Sequence, residues 1–356
     1  MKRIIPLFLA LLLCGCAAEE TLATEPVTQA TAVTEAPTEA PTDAPTEPQP
    51  EVFTLTFLGD CTLGSAPSQY TLPSSFISRV GEDMDYPFRN VLTYLENDDA
   101  TFANLEGVFC DSGYAADKLF TFRAPERYVN ILTRGSIEAV TLANNHSRDY
   151  GQKGYDTTRA LLEENGIPYA QRDGSCLFTT ESGLTVGIYA CLYNIDFKDL
   201  ETEVAALREQ GAEIVVFALH WGQEGVYRPL DHQIQQAYKA IDAGVDIVWG
   251  HHPHVLQKIE TYGDGIIFYS LGNFVFGGNH EPSDMDTALL RQQVIREPDG
   301  TVHLGDLEII PASISSIPRW NDFCPTPYEP GTEEYDRVIS KLDGTFTGPN
   351  LYVPYA

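Results

Sequence analysis

Short apolar runs alternate with helical patterns along the chain after residue 52. In the first run, residues 52–58, polar and apolar side chains alternate and Phe53, Leu55 and Phe57 share one face, which predicts a half-buried strand. Further strands are predicted at residues 100–103, 137–142, 185–191, 214–219, 246–249, 266–270 and 301–310, the end of a helix at 92–96, and helices at 155–165, 200–210 and 232–243. This alternation predicts an α/β domain in layers, a sandwich of β-sheets flanked by helices.

Single residues mark the ends of two of these helices. Gly166 is predicted to end the helix over residues 155–165. For the helix over residues 232–243, Asp231 is predicted to be the N-cap and Gly244 to follow the last turn.

The first residues of the chain have the pattern of an export signal. A basic start at Lys2 and Arg3 precedes an apolar run over residues 4–13, which is shorter than the ~20 residues that a membrane-spanning helix needs. The segment Leu13-Cys14-Gly15-Cys16 resembles a bacterial lipobox, in which Cys16 would carry the lipid. The alternative is an ordinary cleaved signal with two incidental cysteines. The lipobox predicts an extracytoplasmic protein that is lipid-anchored to the cell membrane.

Composition divides the rest of the chain. Residues 17–51 consist largely of Thr, Pro, Ala and Glu, which cannot form a core and predict a disordered spacer. The α/β domain is predicted over residues 52–315. Residues 316–356, rich in Pro, Tyr and Gly, form a C-terminal extension to which the sequence assigns no role.

The net charge and the cysteine pattern argue against some classes of function and of site. With 22 Lys and Arg against 51 Asp and Glu, the net charge of −29 argues against nucleic-acid binding. An anionic polymer would also be repelled at long range, so its binding would require bound metal or a local cluster of basic residues. The five cysteines after Cys16 are odd in number and contain no C-x-x-C pair, which predicts neither a disulfide framework nor a zinc ribbon.

Residues that can bind metal follow five successive predicted strands. They are Asp60, Glu106, Asn144-Asn145-His146, His220 and His251-His252-Pro253-His254. Each alone is more often a turn, a cap or a histidine bonded to backbone. Together, at the strand ends where α/β sheets bind ligands, they predict a site for two divalent metal ions. Mixed oxygen and nitrogen ligands favour Mn, Zn or Fe over calcium, and they do not identify the metal.

With these residues in place, the sequence resembles the CapA family of poly-γ-glutamate capsule-synthesis proteins, which implies the calcineurin-like metallophosphoesterase fold. The resemblance covers residues 53–277. The matching segments are Phe57-Leu58-Gly59-Asp60, Ala103-Asn104-Leu105-Glu106-Gly107, Ala143-Asn144-Asn145-His146 with Asp149 and Gly151, His220-Trp221-Gly222, residues 250–257 and residues 269–274.

The resemblance implies a role for each matching position. Asp60 would bind the first metal, and Glu106 would bridge the two metals where ordinary metallophosphoesterases have Asp. Asn145 would be a further ligand and His146 the general acid for the leaving group. The remaining ligands would be His220 and the pair His252 and His254, whereas His251 would lie behind the ligands or face the substrate.

One position departs from the family pattern. The usual Asp-x-His motif reads Asp60-Cys61-Thr62 here, so one imidazole is missing. Either the metal is held more weakly there or Cys61 takes part, although a buried packing role is the more ordinary one for such a thiol.

Other polar residues are candidates for supporting roles or for substrate contact. Glu224 and Arg123 could contact substrate, or could belong to a solvated loop and a surface salt bridge respectively. Asn144 and Asn273 are candidates for residues that brace the loops of the site or face the substrate.

Three functions agree with these features. The first is a membrane-anchored protein that acts on poly-γ-glutamate by metal-assisted hydrolysis or transfer. The second is a general secreted phosphoesterase whose substrate is a phosphoester. The third is a non-catalytic binding or scaffold protein with a degenerate metal site.

Overall fold

A computed structural model describes residues 48–193 and 195–354. The predicted export signal with Cys16, and all of the predicted spacer except residues 48–51, lie outside them. Among the described residues, no helix combines the length and the apolar composition needed to cross a membrane.

Two β-sheets form the centre of the fold. The first sheet has the strand order β15-β14-β13-β1-β2-β5-β6 and the second has the order β11-β12-β10-β9-β8-β7, and β3 and β4 pair separately. The strands are β1 Glu51–Cys61, β2 Ala100–Leu105, β3 Val108–Phe109, β4 Arg123–Ala124, β5 Ala139–Thr141, β6 Tyr169–Ala170, β7 Gly174–Thr179, β8 Thr185–Leu192, β9 Ile214–His220, β10 Ile247–His251, β11 Ile259–Tyr262, β12 Gly265–Phe268, β13 Asp286–Arg296, β14 Val302–Ser313 and β15 Thr326–Pro327.

Helices flank both sheets. They are α1 Phe76–Val80, α2 Leu92–Leu95, α3 Val129–Arg134, α4 Gly151–Glu164, α5 Phe197–Glu209, α6 Asp231–Asp242 and α7 Glu333–Leu342. Apolar residues of α1 to α4 share a core with the first sheet, and those of α5 and α6 share one with the second. The predicted layered α/β sandwich is therefore confirmed.

The two sheets pack face to face through aromatic side chains. The ring of Phe57 on β1 lies 5.0 Å from that of Phe102, 5.7 Å from that of Trp249 and 5.5 Å from that of Phe268. The indole of Trp249 also donates a hydrogen bond of 3.0 Å to the carbonyl of Leu58, across the sheet interface. This bond fixes the ends of β1 and β10 relative to one another, which matters because both strands end at the site.

Several boundaries differ from the sequence prediction. The prediction that Asp231 caps α6 is wrong, because Asp231 is the first helical residue and Leu230 occupies the N-cap. The side chain of Gln233 accepts a hydrogen bond from the Leu230 amide at 2.9 Å, which satisfies that group. Helix α4 begins at Gly151, before the predicted residue 155.

The prediction also missed the long strand β13, which pairs antiparallel with β1. Its sequence includes Thr287, Arg291, Gln292 and Gln293 and therefore lacks a continuous apolar run. Gln292 is buried, and its amide nitrogen donates to the carbonyls of Gln293 and Gly305 at 2.9 Å. Hydrogen bonding thus lets a polar residue occupy the interior of the sheet.

The C-terminal extension packs against the domain through an ionic cluster. Lys341 of α7 is buried, and its ammonium lies 2.7 Å from a carboxylate oxygen of Asp284 and 2.7 Å from one of Asp286. Arg337 binds both oxygens of Asp286 at 2.7 Å. These paired charges hold α7 against the start of β13.

A half-buried acid precedes β5, at the sheet end opposite to the predicted site. One oxygen of Glu138 accepts a hydrogen bond from the Thr101 amide at 2.6 Å. Burial and the neighbouring Asp98 carboxylate together raise the pKa of Glu138 to about 7, although the hydrogen bond opposes the shift. Because the folded-state pKa is raised, the stabilisation that protonation provides is present below the unfolded-state pKa and is lost as pH rises through about 7.

We therefore expect Glu138→Gln to be more stable than the wild type at pH 8 by about 1–2 kcal/mol, because glutamine keeps the acceptor without ionising. The advantage should shrink towards pH 5. Urea unfolding at both pH values measures it, with the exposed Glu164→Gln as the matched control. An equal difference between Glu138→Gln and wild type at both pH values would contradict the expectation.

Candidate metal centre

The predicted metal-binding residues meet at one end of the sandwich. Strand β1 runs parallel to β2, and β9 runs parallel to β10, so each pair delivers its C-terminal residues to the same edge. Asp60 lies near the end of β1, Glu106 directly follows β2, and His220 and His251 are the last residues of β9 and β10. Packing of the two sheets brings both edges to one place.

A close approach of backbone holds Asp60 in position. A Cβ atom on Gly59 would lie 2.2 Å from the carbonyl oxygen of Gly272, so only glycine fits there. The Asp60 amide donates to that same carbonyl at 2.8 Å, and the Phe274 amide donates to the Asp60 carbonyl at 2.9 Å. The backbone of residues 272–274 thus fixes the carboxylate end of β1.

Asp60 is fully buried and surrounded by donors. Its Oδ1 lies 2.8 Å from Nδ2 of Asn104 and 3.0 Å from Nδ1 of His251, and its Oδ2 lies 3.0 Å from Nδ1 of His254. Burial alone would raise the pKa of Asp60, but the hydrogen bonds from His251 and His254 hold it well below its usual value. Asp60 is therefore a carboxylate ion.

Glu106 is buried, and neither of its carboxylate oxygens has a hydrogen-bond partner. Its Oε1 lies 3.4 Å from Nε2 of His220 and 4.0 Å from Nε2 of His254. Burial and the charge of Asp60 raise the pKa of Glu106 well above its usual value. An unpaired buried carboxylate is costly, and a cation bound beside it would remove that cost.

Further potential ligand atoms of the predicted site are buried without hydrogen-bond partners. They are both ring nitrogens of His220, Nε2 of His251, Nδ1 of His252 and Oδ1 of Asn145. Burial holds the pKa of His220 well below its usual value and lowers the pKa of His252 to about 3, so both imidazoles are neutral and can bind metal through a lone pair. This donor set fits a divalent cation.

Two overlapping groups of side chains could each hold an ion. Asp60, Glu106 and His254 form one group and Glu224, His252 and His254 the other, with the ligand atoms of each within 4.8 Å of one another. Burial lowers the pKa of His254, but Glu106 and Asp60 outweigh this effect and raise it to about 10. A bound cation would compete with the proton on His254 for the carboxylates of Glu106 and Asp60. His254 belongs to both groups, so the two candidate positions are adjacent.

His146 lies beside this cluster and is oriented by Asp149. Nδ1 of His146 lies 2.7 Å from Oδ2 of Asp149, which also accepts the Phe122 amide at 2.6 Å. The Lys118 ammonium lies 2.6 Å from the other Asp149 oxygen and 2.8 Å from the Asn145 carbonyl. Burial lowers the pKa of His146, although Asp149 opposes the shift.

Asparagine side chains connect the loops that carry the ligands. Asn144 donates to the side-chain oxygen of Asn104 at 2.9 Å and to the Leu105 carbonyl at 2.8 Å. The side-chain oxygen of Asn273 lies 3.0 Å from Nδ1 of His254. Neither Asn104 nor Lys118 was among the predicted site residues. Asn104 lies in a matching segment, whereas Lys118 lies in an exposed loop whose sequence gives no signal.

Arg123 does not join the cluster within the described residues. Its Nε donates to the Tyr70 hydroxyl at 3.4 Å, and its guanidinium lies over the rings of Tyr70 and Tyr150. Cys61 is buried among core residues, and burial raises the pKa of its thiol to about 12. It is therefore a neutral thiol in the core, which does not favour its participation as a ligand.

A cavity of about 390 Å³ opens onto the cluster. His146, His254, Glu224 and Asn273 line its inner part, and residues 351–353 of the C-terminal extension form an outer wall. Leu351 is held there by a hydrogen bond of 2.9 Å from its amide to the Gly225 carbonyl. We call this cavity the central cavity.

Comparisons with known proteins identify the relatives of this chain. The model of the family described as bacterial capsule synthesis protein PGA_cap matches residues 54–278. The capsule biosynthesis protein CapA of Bacillus anthracis is 33% identical over 64% of this chain and 60% of its own length. The PGA biosynthesis protein CapA of Bacillus subtilis (strain 168) is 29% identical over 76% of this chain and 75% of its own length.

Among solved structures, the NAD nucleotidase of Haemophilus influenzae matches with a TM-score of 0.41 and 10% identity. The match covers 83% of this chain and 63% of that one.

Replacing Glu106 by Gln should weaken metal binding without weakening the fold. In the presence of a chelator the variant should be at least as stable as the wild type, because it lacks an unpaired buried charge. Added Mn²⁺ or Zn²⁺ should raise the wild-type melting temperature, with a stabilisation of about 2.7 kcal/mol at a hundred times Kd, and should raise that of Glu106→Gln much less.

Thermal unfolding and elemental analysis of the purified protein measure both effects. The exposed Glu209→Gln is the matched control and should respond to metal as the wild type does. Equal metal stabilisation of Glu106→Gln and wild type would show that the ions bind elsewhere.

Proposed function

Since the chain belongs to the bacterial capsule synthesis protein family PGA_cap, we propose that it is a metal-dependent hydrolase that acts on poly-γ-glutamate during capsule synthesis. The names of its relatives refer to capsule and PGA biosynthesis, and the match spans 60% of the length of the Bacillus anthracis protein. The proposal therefore depends on the chemistry of this chain's own site.

The unsatisfied ligand atoms around Glu106 carry the proposal. Buried polar groups are normally hydrogen-bonded, yet Glu106, Asn145, His220, His251 and His252 all have buried side-chain atoms without a hydrogen-bond partner. With Asp60 and His254 they would hold two divalent ions, which when bound would polarise the scissile group and lower the pKa of a water molecule. Such ions would also offset the repulsion between an anionic polymer and a chain of net charge −29.

His146 is suited to protonate the leaving group. Asp149 holds Nδ1, so the other ring nitrogen is available to the central cavity, which His146 lines. In hydrolysis of a γ-amide bond, water adds to the carbonyl carbon, the C–N bond breaks and the leaving nitrogen takes a proton from the imidazolium form of His146. The proton that the attacking water loses then restores the imidazolium. Lys118 neutralises Asp149 from the other side, which keeps the pair aligned.

A phosphoesterase is the second candidate, because protonation of a leaving oxygen would use the same imidazole beside the same ligands. A non-catalytic scaffold is the third, because Thr62 stands at the position of a family imidazole and the buried, neutral thiol of Cys61 does not replace that ligand. The assay below includes a substrate for each enzymatic candidate.

We further propose that the protein works outside the cytoplasm, lipid-anchored through Cys16 and held away from the membrane by the Thr/Pro/Glu-rich spacer. The sequence of residues 1–51 supports this location.

His146→Gln should lower kcat by about 10²–10⁴ while leaving metal content unchanged, because glutamine cannot donate an imidazolium proton. The assay follows the chain length of poly-γ-glutamate and the release of new amino groups with Mn²⁺-loaded protein. The exposed, remote His303→Gln is the matched control and should retain activity. Equal activity of His146→Gln and wild type would contradict the assigned role.

Cleavage of a chromogenic phosphodiester without cleavage of poly-γ-glutamate would support the second candidate. Stoichiometric metal with turnover of neither substrate would support the scaffold.

A further inference from the structure

The central cavity continues into two further cavities. A second cavity of about 270 Å³ shares Gln69, Gly278 and Asn279 with the central one. A third, of about 280 Å³, shares Ser74, His280 and Phe323 with the second. Together they form a cleft that leads away from the metal cluster. We call its second and third cavities the distal cleft.

The far end of the distal cleft combines a cation with an aromatic surface. Arg79 and Trp320 line the third cavity, and 43% of Trp320 is exposed. Arg319 lines an adjoining cavity that shares Ile317 with the third. The side chain of Arg319 is exposed and has no hydrogen bond or ion pair within the described residues, so its guanidinium is available to a ligand.

The guanidinium of Arg79 is also able to bind a carboxylate. Its Nε donates to the Tyr86 hydroxyl at 3.1 Å, but its Nη2 lies 3.9 Å from Asp322, which is a weak ion pair. Asp322 is satisfied instead by the Ser315 hydroxyl and the Ser316 amide, both at 2.9 Å. An arriving carboxylate would therefore not have to displace a strong internal bond from Arg79.

The apolar side chains of the cleft indicate which anion fits. Leu72, 48% exposed, lines the second cavity and Trp320 the third, so both cavities offer apolar walls beside charged or polar groups. A γ-linked glutamyl chain alternates methylene groups with carboxylates and matches this surface. A polyphosphate has charge but no apolar repeat.

We propose that the distal cleft is a binding site for the part of a γ-glutamyl chain that extends beyond the metal centre, with Arg79, and Arg319 of the adjoining cavity, binding its carboxylates and Trp320 its methylenes. This inference rests on the proposed poly-γ-glutamate substrate. Arg319 and Trp320 follow residues 54–278, which the PGA_cap model matches, whereas Arg79 lies within them.

Tryptophan fluorescence can test the proposal without turnover. Of the three tryptophans, Trp221 and Trp249 are buried, so a change on ligand binding at the distal cleft should come from Trp320. The purified full-length protein is titrated with a defined γ-glutamyl oligomer in the presence of a chelator. Binding then depends on the cleft and not on metal, so a failed metal centre and a failed distal cleft give different results.

Arg319→Ala and Arg79→Ala should each raise Kd about tenfold, the effect expected from losing one charge-assisted hydrogen bond. Glu281→Gln removes a like charge from the second cavity wall and should tighten binding. The exposed Arg172→Ala is the matched control and should not change Kd. Trp320→Phe should abolish the fluorescence signal, and calorimetry then reports whether binding persists.

Absence of a saturable Trp320 signal, or a Kd unchanged in both arginine variants, would overturn the proposal. A polyphosphate of equal charge that binds as tightly would overturn the assignment to a γ-glutamyl chain. Weakened binding in both arginine variants with an unchanged Arg172→Ala would support it, whatever the outcome of the metal experiments.

Discussion

Buried polar atoms that lack a partner are the constraint on which the site depends. The interior of a protein rarely leaves a carboxylate oxygen or an imidazole nitrogen without a hydrogen bond, since each costs roughly 1–3 kcal/mol or more. Here such atoms belong to five of the predicted site residues, Glu106, Asn145, His220, His251 and His252. The packing of the two sheets and the fixed end of β1 hold these atoms in place. The stability of the rest of the fold therefore offsets the free-energy cost of leaving them without hydrogen bonds, and the arrangement is suited to cations.

Much of the fold could be predicted because its central strands are apolar. The alternation of polar and apolar residues over 52–58 and the apolar run of β9 both indicate which residues are buried. Strand β13 escaped prediction because Gln292 is buried through hydrogen bonds to backbone rather than through hydrophobicity. Helix α7 escaped because Lys341 is a charged residue whose burial depends on Asp284 and Asp286, more than fifty residues away in sequence.

The predicted site residues were recognisable because chemistry-bearing side chains follow successive strands. Sequence could not give their mutual distances, and it could not show that Arg123 packs on two tyrosines away from the cluster. Lys118 was not identified because it comes from an exposed loop and contacts Asp149 only through the folded chain. A residue such as Lys118, which positions another side chain through a contact in the folded chain, follows no fixed spacing in the sequence.

The cavity wall formed by residues 351–353 and the candidate metal ligands come from different parts of the sequence. The candidate ligands lie within residues 54–278, which the family model matches, whereas this wall comes from later sequence. Substitutions in the wall would therefore change the shape of the cavity entrance while every candidate ligand atom stays in place.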